Sequence, residues 1–178
     1  SSSGSVTFGG TLDGASALSV ASATGTTFAG AVGATTALTS LSVTGPAALN
    51  GGTVTTTGAQ SYAGTTTLGA DTTLTSTGAG TIGLAGVGGA FGLTINTAGT
   101  TAFNGTVSGL TAITTDAAGT NALAGDLSAS GAIALNGATT LSGANRSVTS
   151  TAGTVAFGST LNGASALSVS SLNGTTFG

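Results

Sequence analysis

The sequence predicts an all-β protein, a parallel β-solenoid with about 18–20 residues per rung and roughly nine to ten rungs. Three observations carry this: a long segment that recurs, a shorter unit repeated beneath it, and short alternating strands punctuated by glycine. The 178 residues are read as one continuous domain.

The long repeat is visible at once. "SVTFGGTLDGASALSV" (Ser5 to Val20) returns as "TVAFGSTLNGASALSV" (Thr154 to Val169), 149 residues later. From Val6 to Phe28 and from Val155 to Phe177, seventeen of 23 positions are identical. Residues 1–149 thus form one copy and residues 150–178 begin the next. The last residues, "TTFG", stop inside a rung already under way, which is what a fragment of a longer array would look like.

The shorter unit is F-x-[GS]-x-[VL]-x(5)-[LI], beginning at Phe8, Phe28, Phe103 and Phe157, with a truncated fifth at Phe177. Weaker forms put Leu before x-G at Leu49, Leu84, Leu123 and Leu141, with Leu68 as a further member. Anchors therefore fall at 8, 28, 49, 68, 84, 103, 123, 141 and 157. Such a unit is too short for a propeller blade or a helical pair. Stacked at about 4.8 Å per rung, the array makes a rod of roughly 45 Å. Phe8, Phe28, Phe103, Phe157 and Phe177 are expected in one inward column.

Between the anchors, Val6, Phe8, Leu12, Leu18 and Val20 trace period-two alternation, and Thr, Val and Ile are frequent, as in strands. Asn-Gly and Asp-Gly pairs mark the expected turns: Asp13-Gly14, Asn50-Gly51, Asn104-Gly105, Asn136-Gly137, Asn162-Gly163 and Asn173-Gly174. These residue types accept positive φ and bend the chain cheaply.

Composition narrows function. Cys, His, Met, Trp, Lys and Glu are absent, and the only charges are Asp13, Asp71, Asp116, Asp126 and Arg146. A net charge of −3 gives no attraction for nucleic acid or anionic lipid. Disorder goes with low hydropathy and high charge, whereas mean hydropathy here is positive. The uncharged stretch Thr81 to Ile95 is broken by glycine and shorter than the about 20 apolar residues of a spanning helix. Six Phe and one Tyr are too few for the aromatic girdles of a membrane barrel. The expectation is a soluble chain without membrane insertion. The opening "SSSG" has no charged-then-apolar leader, so any secretion signal is expected upstream or already removed.

The stretch "TTTGAQSYAGTTTLGADTTLTS" (Thr55 to Ser76) and the later "TTAFNGTVSG" resemble the repeats of bacterial β-strand-repeat surface proteins. These are the filamentous-haemagglutinin-like exoproteins and autotransporter passengers. The resemblance covers most of the chain and lies in repeat style. It implies a right-handed parallel β-helix, export across a Gram-negative envelope, and a place outside the cell or on its surface, in adhesion or matrix building.

No constellation for catalysis is legible. General acid–base work needs a group titrating near neutrality or two facing carboxylates, and the four Asp are scattered. Asp13 becomes Asn162 in the second copy, a swap that suits a turn and not a required carboxylate. Asp126 and Arg146, 20 residues apart, are expected to form one surface ion pair. Calcium β-roll and phosphate-loop motifs are absent. No enzyme, cofactor or metal site is expected. Thr-x-Thr triplets at Thr55/Thr57 and Thr75/Thr77 raise an ice-binding ladder, but 20 residues on stand Ile95 and Thr97.

The expectation is a structural extracellular protein: a shaft or filament-forming segment whose partner is itself, joined end to end or side by side. The alternative is an adhesin shaft presenting a surface to host or matrix glycans, for which Tyr62 is the lone aromatic candidate, although a stacked core or corner position is the expected place for it. Arg146 is the only cleavage point for a trypsin-like protease.

Overall fold

A computed structural model describes residues 4–178. These residues form 24 short strands and no helix, arranged in three parallel sheets of nine, eight and seven strands. The chain visits the sheets in a fixed cycle. Val87–Gly88 lies in the nine-stranded sheet, Gly92–Thr97 in the seven-stranded sheet, and Thr100–Phe103 in the eight-stranded sheet. Val107–Leu110 then returns to the nine-stranded sheet, one turn on. About nine such turns make a β-solenoid with three faces.

Most of the strands form here because they alternate. Thr72–Ser76 buries Thr72, Leu74 and Ser76 and turns Thr73 and Thr75 outward. All three sheets send their apolar residues into one interior, filled by Phe28, Leu49, Leu74, Ile95, Phe103, Ile133 and others. Parallel pairing continues down each face, and neighbouring strands both donate to and accept from each other: Gln60 N donates to Thr81 O at 2.9 Å, and Ala85 N donates back to Tyr62 O at 3.0 Å. Asn104 N donates to Leu84 O at 2.8 Å, and Ala124 N to Phe103 O at 2.9 Å.

The turn is longer than the sequence spacing suggests. On the nine-stranded sheet, Val6 pairs with Thr26, and the column continues through Ala47, Thr66, Val87, Val107, Leu127 and Val148 to Val169. Eight steps carry the chain over that distance, about 20 residues per turn, against about 18.6 in the anchor spacing. The two shortest anchor steps explain the difference. Leu68 lies on the nine-stranded sheet while Leu84 lies on the eight-stranded one. Leu141 lies on the eight-stranded sheet while Phe157 lies on the seven-stranded one. At both places the motif moves to another face before the turn is complete.

Candidate functional surface

The five phenylalanines do not share a column. Phe8 and Phe28 stack on the nine-stranded sheet, ring centroids 5.1 Å apart and 5° from parallel. Phe157 and Phe177 stack on the seven-stranded sheet at 5.3 Å. Phe103 lies on the eight-stranded sheet, between Leu84 and Leu123. Phe28, Phe103 and Phe157 are buried, Phe8 is half-buried, and Phe177 is 63% exposed on the last described turn. The physical reason is that F-x-[GS] marks the end of a strand and the corner after it, and all three corners use that signal.

The corners also change the meaning of the glycines. Gly51, Gly105 and Gly137 follow the strands Ala47–Leu49, Thr100–Phe103 and Ile133–Leu135, and none has positive φ. Their requirement is space. A Cβ at Gly51 would run into the backbone of Gly30, one at Gly105 into the carbonyl of Ala85, and one at Gly137 into the carbonyl of Gly119. Each lies closer than the 3.0 Å that real Cβ contacts respect. Successive corners stack backbone on backbone, and only glycine permits it. Asn50, Asn104 and Asn136, just before them, lie at the corners outside the strands. The Asn136 side-chain amide donates to Thr115 O on the turn before, at 2.7 Å.

Gly14 and Gly163 do carry positive φ, at 147° and 132°. Asn162 and Gly163, expected in a turn, instead lie in the strand Leu161–Gly163, paired with Thr140 and Leu141. Their counterparts Asp13 and Gly14 lie outside strands, where Asp13 Oδ1 accepts from Thr35 N at 2.8 Å and Thr36 N at 3.1 Å. The same dipeptide position thus serves a loop in one copy and a strand in the other.

The carboxylates work similarly. Asp71 Oδ1 accepts from Gly92 N and Asp126 Oδ1 from Ser147 N, each tying one turn to the next. Asp126 also lies 3.9 Å from Arg146 Nη1, the expected ion pair. Arg146 is held mainly by carbonyls: its Nη1 donates to Ala124 O at 2.7 Å and its Nε to Ala144 O at 2.8 Å. All four Asp lie between strands, and Arg146, the first residue of its strand, is the one charge on a sheet. Among the described residues no group of three His, Cys, Asp or Glu could hold a metal, and no helix is long and apolar enough to cross a membrane.

Tyr62 is buried, not displayed. Its hydroxyl donates to Gln60 Oε1 at 3.1 Å, while Gln60 Nε2 donates to Thr75 O at 2.9 Å and to Val54 O and Thr56 Oγ1 at 3.3 Å. This network joins the eight-stranded sheet to the seven-stranded one through the interior. Burial pushes the pKa of the Tyr62 hydroxyl up. Sequence reasoning passed over Gln60, although a glutamine at an alternating apolar position, two residues before the only tyrosine, was the available signal.

The threonine ladder has a different register from the expected one. Thr55 pairs with Thr75, but the next partner is Asn96, because the step from Leu74 to Ile95 is 21 residues. Thr57 and Thr77 lie beyond the strand ends. The outward pairs are Thr53/Thr55 and Thr73/Thr75, followed by Thr94/Asn96 and then Thr114 with Asp116 beyond its strand. Two complete turns of paired threonine make a small patch. No family model, curated protein or solved structure matches the chain.

Proposed function

We propose that this chain is a structural segment of a longer extracellular rod, a shaft or filament element of a bacterial surface, with no catalytic role. The observation that supports it most is the unbroken parallel pairing of all three sheets over the described residues, around one interior and beneath faces whose strands carry a single charge, Arg146 at a strand start. The resemblance in repeat style to filamentous-haemagglutinin-like exoproteins and autotransporter passengers, which implies a right-handed coil, supports the same reading. Length is what such a stack supplies: each added turn extends the ladder by about 4.8 Å and needs only the turn beneath it.

The adhesin alternative draws on inserted loops or exposed aromatic clusters. A loop at 33–37 bulges from the seven-stranded side between Val32 and Leu38, which bridge to Val54 and Thr56. It consists of Gly, Ala and Thr, which offer a glycan ring no aromatic platform. Electron cryo-microscopy of the native material tests the proposal. Filaments continuing far beyond about 45 Å with this rung spacing are expected. Discrete short rods would refute the shaft and make glycan binding the next assay.

A further inference from the structure

The two copies of the long repeat do not occupy the same face. In the first copy Val6–Phe8 lies on the nine-stranded sheet, Leu12 bridges into the seven-stranded side, and Ala17–Ala21 lies on the eight-stranded sheet. In the second, Val155–Phe157 lies on the seven-stranded sheet, Leu161–Gly163 on the eight-stranded sheet, and Leu167–Ser171 on the nine-stranded sheet. Every element has advanced by one face, in the direction the chain winds. Seven turns lead from Val6 to Val148, and Val155, the counterpart of Val6, stands on the next face.

We infer that the 149-residue repeat is a screw element of seven turns and one third, so that successive copies deal each surface feature to the three faces in rotation. The near-identical copies adopt strands on different sheets, so the segment specifies strand, corner and strand without specifying a face. Phe8 stacks on Phe28 and Phe157 on Phe177 in the same geometry on different sheets. For an assembled rod the consequence rests on the filament reading above. An integral number of turns would keep each feature on one face and leave three unlike sides. A third of a turn left over makes the three sides equivalent after three repeats, about 22 turns or roughly 105 Å. Neighbouring rods of the same chain are then met in three directions instead of one.

The chain has no cysteine, so cysteine pairs can read the phase directly. Ala134 and Ala156 are outward partners on adjacent turns of the seven-stranded sheet. Adjacent strands, about 4.8 Å apart, lie within the Cα range a disulfide spans. Oxidation of the double variant Ala134→Cys/Ala156→Cys should link the two intramolecularly. The anchor spacing read as eight equal turns would instead place Ala156 above Thr140, which the structure pairs with Asn162 on the eight-stranded sheet. A link in Thr140→Cys/Ala156→Cys, and none in the first pair, would overturn the inference.

Helical reconstruction of native filaments reads the same quantity without substitution. A rise of about 35 Å with a third of a turn of rotation is expected, and the same rise with no rotation contradicts it. Short rods in place of filaments would end the shaft reading and leave the screw to be decided by the cysteine pairs.

Discussion

Two buried residues show how polar atoms are managed inside a solenoid of mostly apolar content. Tyr62 keeps its hydroxyl on Gln60 in a dry interior, and burial raises its pKa. An unfolded tyrosine titrates near about pH 10. The folded protein holds the proton more tightly, so this stability is full below that pH and is lost as pH rises above it. Tyr62 is the only tyrosine. The unfolding midpoint should therefore fall above about pH 10, together with the rise of tyrosinate absorbance, and Tyr62→Phe should remove this drop. That variant should lose about 1 kcal/mol at neutral pH through the unpaired Gln60 oxygen, measurable by denaturant melts. Thr66 is the opposite case: its buried hydroxyl has no hydrogen-bond partner, as at Thr26, two strands away in the same column. Thr66→Val keeps the branched shape and removes the unpaired oxygen, and should raise stability by about 1 kcal/mol. A destabilised variant would mean the hydroxyl has a bound water or another partner.

The element that organises this protein is the strand with its corner, F-x-G or L-x-G. The middle position is free: Gly9, Ala29, Asn50 and Asn104 all occupy it. The glycine is held where the preceding turn's backbone stacks against it, as at Gly30, Gly51 and Gly105. Gly9→Ala, with nothing within 4 Å of the added carbon, should change the thermal midpoint little. Gly105→Ala, which drives a methyl into the Ala85 carbonyl, should cost about 2 kcal/mol or more. Equal midpoints for the two variants would show that the corners relax and that the close stack is not a constraint. At this scale the sequence was legible in part. Strand alternation and the corner glycines stood out because they recur, but the reason for the glycines did not. The spacing suggested turn conformations with positive φ, whereas three of the six predicted Asn-Gly and Asp-Gly glycines, Gly51, Gly105 and Gly137, lack it and serve close approach.

Across the whole molecule, stability is a sum of turns and their contacts with neighbours. Only one ion pair joins turns among the described residues, with its carboxylate half exposed, so salt should move the unfolding midpoint little. Exposure grows toward both ends: Val20, Leu41 and Val148 are buried, while Leu172 and Phe177 are the large apolar residues most open to solvent. Amide hydrogen exchange of this chain should accordingly be slowest around Ile82 to Leu135 and fastest in the first and last described turns. Uniform protection from end to end would mean a single cooperative unit instead of a stack that frays.

The sequence by itself determined the all-β class, the solenoid, the strand-and-corner unit and the long repeat. All of these follow from local periodicity, and a stack of like turns repeats its local pattern in the chain. It could not determine which corner each motif occupies. F-x-[GS] at Phe8, Phe103 and Phe157 reads the same although the three residues stand on three different sheets. A motif that satisfies any of three equivalent corners carries no label for one of them. Only the tertiary structure, through the number of residues each turn needs to close around its core, decided that the repeat ends a third of a turn beyond where it began.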